Sequence, residues 1–297
     1  MTDYAVITDP SKLRKEHDEV LLLVTFGSTH EEPHQTFAKI RQTFREAFPD
    51  TDIYMAFTSR ICMKRWAEKT GQQYYAPDEW LKAIGQAGYK RVLIQSLHVI
   101  PGLEYSFITE KYIPAFQQKY PGVQIILGEP LLWNDKDVVR VGNALFSIFR
   151  NRLEQGEALV LMGHGNNTDA YPDANNKYIQ LNQYLQTLNP RIVIGTVDFE
   201  SMLFDFVVKS LERTCEKGCV INLSPLMSVA GDHAKNDMAG AYDAEGPMEE
   251  QSWRVQLDAM GYRIEPETNC HLKGLADFPE IRAIWVNHLK EKINPIV

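Results

Sequence analysis

The chain has 297 residues, of which 44% are apolar and 24% are charged, a composition that is typical of a folded globular protein and excludes a disordered or fibrous chain. Its formal net charge of −8 argues against a nucleic-acid binder, which needs a basic surface to neutralise phosphates. No apolar run approaches the ~20 residues that cross a bilayer, and the polar N-terminal segment lacks the apolar core of a secretory signal. We therefore expect a cytoplasmic protein that does not associate with membranes.

Short apolar runs alternate with longer amphipathic segments along the whole chain. The apolar runs predict strands at 20–27, 52–59, 91–100, 123–132, 158–165, 191–199, 219–229 and, in a less apolar run, 262–266. Helical patterns lie between them at 33–48, 60–70, 77–87, 104–119, 135–153, 173–187, 200–214, 249–260 and 277–292. Continuously apolar strands that alternate with helices predict βαβ units and parallel sheets covered on both faces.

The two halves of the chain resemble each other. LVTFGST at 23–29 matches LMGHGNN at 161–167, and RVLIQSLHVIPGLE at 91–104 matches VINLSPLMSVAGDH at 220–233. In each pair an apolar strand runs into a turn that contains glycine. Gene duplication is the simple explanation of this repeat.

A duplication of this kind predicts an α/β fold of two similar doubly wound lobes, with the active site in the cleft between them. The first lobe covers 1–134 and is completed by a C-terminal helix at 277–297, and the second covers 135–276. Ligands of such sheets bind beyond the carboxyl ends of the strands, which is where the polar motifs of this chain lie.

The most distinctive motif is GHGNN at 163–167. The glycines beside His164 leave little side-chain packing to bury its imidazole, so we expect the ring to face the cleft. The alternative is a turn histidine that binds its own loop.

A second motif, VAGDHAKNDMAG at 229–240, follows a strongly apolar strand and presents His233. Asp232 or Asn236 could instead simply cap a helix there. Glu104 lies two residues past a glycine, as His233 does in the repeat, although a carboxylate is favoured at the start of a helix in any case. His98, inside the preceding apolar strand, is more typical of a core histidine.

Asp198 ends the apolar run IVIGTVDF and is a further candidate, and either it or Glu200 could serve only as a helix cap. Two imidazoles with one or two carboxylates suit cobalt(II), nickel(II), zinc(II) or iron(II), and they also suit proton abstraction near neutral pH. The sequence has no complete Walker motif, no HExxH and no GxSxG, so nothing in it indicates a nucleotide cofactor.

Five segments together resemble the anaerobic sirohydrochlorin cobaltochelatases (CbiK type) of the class II chelatase superfamily: TFGST (25–29), AFTS (56–59), IQSLHVIPGLEY (94–105), MGHG (162–165) and PLMSVAGDHAKNDMAG (225–240). The similarity runs in order from about residue 20 to about residue 292. It implies the two-lobed α/β fold and an insertion of Co²⁺ into sirohydrochlorin or precorrin-2 that needs no ATP, in cobalamin biosynthesis.

The resemblance also implies roles for individual residues. His164 would bind the incoming metal and accept a pyrrole proton, His233 would be the second metal ligand, and Glu104 would help to move protons. Asp198 matches a position where the family has a glutamate that serves as a metal ligand. This is a departure, because a carboxylate one methylene shorter reaches less far.

The tetrapyrrole would contact the glycine-containing turns at the strand ends, with Phe26, Gly27, Ser28, Gly102 and Gly163 as the expected contacts. Because this substrate is a polycarboxylate, local positive groups are needed, and Arg60, Lys64 and Arg65 are candidates, although most could simply form a solvated helix face. Two alternatives stay open: an iron or nickel chelatase acting on a related tetrapyrrole, and a non-enzymatic tetrapyrrole or metal carrier. A homo-oligomer is possible.

Overall fold

A computed structural model describes residues 8–167 and 170–295. The strands are β1 (Glu19–Thr25), β2 (Asp52–Phe57), β3 (Arg91–Ser96), β4 (Gln124–Gly128), β5 (Ala158–Gly163), β6 (Ile192–Thr196) and β7 (Ile221–Pro225). The α-helices are α1 (Glu31–Ala47), α2 (Arg60–Thr70), α3 (Pro77–Gln86), α4 (Leu103–Ser106), α5 (Ile113–Lys119), α6 (Asp135–Glu154), α7 (Pro172–Leu188), α8 (Phe204–Thr214), α9 (Trp253–Ala259), α10 (Pro266–Asn269) and α11 (Pro279–Ile293). Within the described ranges, no helix has the length and apolar character needed to span a membrane.

Shorter helical turns complete the secondary structure. The 3₁₀ turns are Pro10–Lys12, Glu200–Met202, Met248–Glu250 and Leu275–Asp277, and the π-helical turns are Phe107–Tyr112 and Ala234–Met238. The chain divides into two compact units: the first takes in Met1–Leu131 and Arg282–Val297, and the second is Leu132–Ile281.

The first unit is built on a parallel four-stranded sheet with the order β2-β1-β3-β4. The central strand β1 is buried on both faces, with Val20 through Leu23 fully inaccessible. Trp80 and Ile84 of α3 pack against this sheet and are also fully buried. Burying one such aliphatic side chain contributes about 1.5–3 kcal/mol, which is why these runs fold as interior strands.

The second unit repeats the arrangement with a parallel three-stranded sheet in the order β6-β5-β7. In both sheets the first strand of the unit is an inner strand, and it pairs with the strand that precedes the matching glycine turn, β3 in the first sheet and β7 in the second. The prediction of an α/β fold with parallel sheets in two similar lobes is confirmed.

The eighth predicted strand, at 262–266, is wrong. Beside β7 the chain makes only isolated bridges, Val220 with Arg263 and Leu223 with Cys270. Pro266, the last residue of this segment, begins α10, and because proline has no backbone N–H it cannot extend a ladder.

Several predicted strands also end earlier than their apolar runs. The run at 91–100 forms a strand only to Ser96, and the run at 123–132 only to Gly128. Leu97, Leu131 and Leu132 beyond those ends are fully buried. Apolarity therefore continues into turns that pack on the core, so it overestimates the strand length.

Candidate functional site

His164 lies directly after β5, the middle strand of the second sheet, and its side chain is 47% exposed. The turn around it is held rigidly by α7, since Asn175 accepts a hydrogen bond from the Asn166 backbone N–H at 2.8 Å and donates one to the Asn166 carbonyl at 2.6 Å. Tyr178 on the same helix is 2% exposed, and its ring lies against Gly163. The backbone is thus fixed while the imidazole is left open to solvent.

The His164 ring has a defined tautomer. Its Nδ1 lies 3.0 Å from the carbonyl oxygen of Gly165, and because a carbonyl can only accept, Nδ1 carries the proton. A carboxylate oxygen of Asp198 lies 3.6 Å from the same nitrogen. In the neutral ring, Nε2 therefore keeps its lone pair for a metal or a proton.

Asp198 is positioned by the turn of His164 itself. The backbone N–H of Asp198 donates to the His164 carbonyl at 2.8 Å, and that of Val197 donates to the Gly163 carbonyl at 3.0 Å. The turns after β5 and β6 are in this way joined by backbone hydrogen bonds. Glu200 lies beyond this contact, exposed in a 3₁₀ turn.

His233 lies after β7, at the start of the π-helical turn Ala234–Met238. Its Nδ1 is 2.5 Å from a carboxylate oxygen of Asp237, one turn further on. This hydrogen bond raises the pKa of His233, outweighing burial, which acts in the opposite direction; the nearby carboxylates of Asp232 and Asp198 add to the rise. In the neutral ring, Nε2 is again the nitrogen left with a lone pair.

The two imidazoles come together in the second unit. Their ring centroids are 5.0 Å apart and the rings are nearly perpendicular, at 78°. Within the described part of the chain, no three His, Cys, Asp or Glu side chains are arranged as a ready metal-binding group. The pair therefore offers two nitrogen donors, with carboxylates nearby that attract cations.

The remaining predicted residues lie in the first unit, apart from Gly163 at the end of β5. Phe26 is 45% exposed after β1. Gly27 has φ +101°, and a Cβ added there would lie 2.6 Å from the ring of Phe57, so only glycine suits the turn. The Ser28 hydroxyl accepts from the His30 backbone N–H at 3.2 Å.

Glu104 is half-buried in the first turn of α4, with Gly102 at the N-cap of that helix. Its expected role in moving protons stays a prediction. Gly163 closes β5, and a Cβ there would lie 2.7 Å from the ring of Tyr178, so its lack of a side chain lets α7 pack against the turn.

The predicted positive groups on α2 differ in their surroundings. Arg60 pairs with Asp78 at 3.2 Å, and Lys64 lies 3.9 Å from Glu68 on its own helix. These are exposed pairs of the kind that a solvated helix face carries. Arg65 is exposed on the same helix.

The core interpretation of His98 is confirmed. The residue is only 9% exposed, its Nδ1 lies 2.9 Å from the Ser96 hydroxyl, and burial lowers its pKa to about 4. A ring of this kind stays neutral and structural.

Sequence reasoning missed the residues that support the histidines: Asp237, Asn175 and Tyr178. Only Asp237 leaves a signal in the sequence, a carboxylate four residues after His233 in AGDHAKND, where residues i and i+4 of a helix are neighbours. Asn175 and Tyr178 act from α7 through the fold.

Comparisons with known proteins show which family this chain is similar to. The sequence model of the family described as cobalt chelatase (CbiK) matches residues 19–294. A sirohydrochlorin cobaltochelatase of Salmonella typhimurium is 32% identical over 94% of this chain and 98% of its own length. The sirohydrochlorin cobaltochelatase CbiKC of Nitratidesulfovibrio vulgaris is 31% identical over 93% of this chain and 91% of its own length.

Solved structures share the fold at low sequence identity. SirB from Bacillus subtilis with Fe³⁺ superposes with a TM-score of 0.57 at 15% identity, covering 93% of this chain and 96% of that chain. The sirohydrochlorin chelatase SirB in complex with cobalt, from a subspecies of Bacillus subtilis, superposes with a TM-score of 0.54 at 14% identity and the same coverage.

Proposed function

This chain belongs to the cobalt chelatase (CbiK) family, and we propose that it inserts Co²⁺ into sirohydrochlorin, without ATP, as an enzyme of cobalamin biosynthesis. The observation that carries the proposal is the pair His164 and His233. Two imidazoles at the ends of neighbouring parallel strands, with centroids 5.0 Å apart, each keep Nε2 as the nitrogen with the lone pair. Imidazole nitrogen is a suitable ligand for cobalt(II).

The cobalt ion is a substrate, so it must be held and then released. A site with only two protein nitrogens leaves most coordination positions to water, which exchanges readily for pyrrole nitrogens. Asp198 supplies negative charge beside the pair. Since its carboxylate lies on the Nδ1 side of His164, direct ligation of a metal bound at Nε2 needs a side-chain rotation.

Insertion replaces two pyrrole N–H protons by one Co²⁺, and the two protons must leave. As cobalt passes from His164 to the macrocycle, the Nε2 lone pair becomes free and can accept one of them. A neutral imidazole serves in both roles, because the lone pair that binds a metal ion also binds a proton. We assign movement of the second proton to Glu104.

The polycarboxylate substrate would contact the turns that carry Phe26, Gly27, Ser28, Gly102 and Gly163. Among the α2 residues, Arg65 is the better candidate for a substrate carboxylate, because Arg60 and Lys64 already lie beside acidic side chains.

The test is a matrix of metals against tetrapyrroles: Co²⁺, Fe²⁺ and Ni²⁺ with sirohydrochlorin and precorrin-2, each followed by its visible spectrum in ATP-free buffer. We expect the greatest acceleration for Co²⁺ with sirohydrochlorin, and a loss of about 100-fold or more in His164→Ala, as for removal of a catalytic base. A higher rate with iron or nickel would make this chain a chelatase for that metal. No acceleration with any pair would refute the enzymatic proposal in favour of a carrier.

A further inference from the structure

We propose that Asp237 is a positioning residue, which holds His233 in the tautomer and orientation that present Nε2 to an incoming divalent cation. The inference rests on the proposed function, because it takes His233 to be the second ligand of the substrate metal. It adds to that function a residue that itself touches neither metal nor tetrapyrrole.

The local backbone explains how the two side chains meet. His233 and Asp237 are four residues apart on a π-helical turn whose Ala234 and Met238 side chains are fully buried. The Gly240 backbone N–H donates to the Asn236 carbonyl at 3.0 Å, closing the turn. The buried residues fix the backbone, and the two polar side chains are left on its partly exposed side.

The hydrogen bond decides which ring nitrogen is available. A carboxylate can only accept, so its 2.5 Å contact with Nδ1 keeps a proton on Nδ1 and, in the neutral ring, leaves the lone pair on Nε2. Metal-binding histidines depend on such partners, and loss of the partner costs about 10–100-fold in metal affinity. The Gly165 carbonyl holds His164 in the same tautomer. Asp237 has the corresponding role for His233.

A purely structural role for this contact is less consistent with its surroundings. The side chains of His233 and Asp237 are 36% and 49% exposed, and exposed ion pairs contribute little to folding. Removing the carboxylate should therefore leave the turn folded and release the ring, which can then rotate and take up the Nε2–H form.

The experiment compares Asp237→Ala, Asp237→Asn and a matched control, Asn236→Ala. The control deletes a neighbouring exposed hydrogen bond of the same spacing, from Asn236 Nδ2 to Asp232 Oδ1 at 2.9 Å, without touching a histidine. Two readouts are taken without tetrapyrrole: the Co²⁺ dissociation constant by calorimetry, and the His233 tautomer by long-range ¹H–¹⁵N NMR of the metal-free protein.

We expect Asp237→Ala to weaken Co²⁺ binding by about 10–100-fold and to lose the Nδ1–H signature, while Asn236→Ala matches the unsubstituted protein. Asp237→Asn keeps the size of the side chain, but its amide can donate to Nδ1 as well as accept from it, so the tautomer is no longer fixed. This variant should also weaken Co²⁺ binding and reduce the Nδ1–H signature, and it carries the test if the alanine variant fails to fold. Unchanged Co²⁺ affinity and tautomer in Asp237→Ala, or equal losses in the control, would overturn the inference. A protein that shows the expected tautomer and affinities but inserts no cobalt would refute the proposed function alone.

Discussion

Substitution of Gly165 by alanine tests how closely the turn of His164 is packed on the turn of Asp198. Gly165 has φ +88°, and an added Cβ would lie 2.7 Å from the backbone nitrogen of Phe199 and 3.1 Å from its Cβ. Backbone atoms cannot move aside as a flexible side chain can, so the two turns must separate. Because those turns set the distance between His164 and Asp198, the change should reach the site.

The expected cost has two parts. An alanine in the left-handed region costs about 1–2 kcal/mol, and forcing a methyl group into a packed contact costs about 1–3 kcal/mol more. Gly165→Ala should therefore lower the free energy of unfolding by about 2–5 kcal/mol. Gly218 is a matched control, since its φ is +87° and an added Cβ would have no neighbour within 4 Å.

Urea unfolding followed by tryptophan fluorescence measures the cost in both variants, and the effect of alanine on the unfolded chain cancels between them. We expect Gly218→Ala to lose only the backbone part and to keep its Co²⁺ affinity, while Gly165→Ala loses the larger amount and binds Co²⁺ about tenfold more weakly. Equal losses of stability with unchanged Co²⁺ affinity in both would refute the idea that these turns are packed tightly enough to set the site.

Three further predictions concern other parts of the molecule. Asp52→Asn should lower the free energy of unfolding by about 2–3 kcal/mol, because the buried carboxylate accepts from Tyr89 at 2.6 Å. Burial raises the pKa of Asp52, but its hydrogen bonds outweigh burial and the net pKa is lowered. The carboxylate therefore stabilises the fold above its unfolded pKa of about 3.9, and this contribution is lost as pH falls through the folded pKa. Urea titrations should show that the free energy of unfolding falls less steeply with acid in the variant. Asp198→Asn should slow cobalt insertion about tenfold, which is less than the loss in His164→Ala. Equal losses of rate in the two variants would show that Asp198 takes part directly in metal binding or proton transfer. Glu104→Gln should lower kcat and leave the Co²⁺ dissociation constant unchanged, and a weaker Co²⁺ affinity would instead make it a ligand.

Much of the fold follows from the sequence because parallel strands that are buried on both faces have continuously apolar sequences. The same pattern does not predict where each strand ends. Leu97 and Leu131 are as deeply buried as the strands before them, so apolarity alone does not tell a strand from a packed turn. Residues 262–265 alternate buried and exposed as an edge strand does, yet they make only one isolated bridge, and α10 begins at Pro266.

The candidate site is predictable to the extent that it depends on local sequence. The flanking glycines identify His164 as a candidate. His233 is identified because it occupies the position in the second half of the chain that Glu104 occupies in the first. The support of the rings is harder to find, because Asp237 looks like any carboxylate on a polar helix face. Asn175 acts across nine residues of chain on Asn166, a contact that only the folded structure defines.

The number of turnovers in cobalt insertion tests the central claim most directly. Purified protein at a concentration well below that of sirohydrochlorin and Co²⁺ is followed by the visible spectrum in ATP-free buffer, with the double variant His164→Ala/His233→Ala as the reference. The account predicts many equivalents of cobalt-sirohydrochlorin per protein chain, and a rate in the double variant that equals the rate without protein. A single equivalent of bound product, or a double variant as fast as the unsubstituted protein, would contradict it.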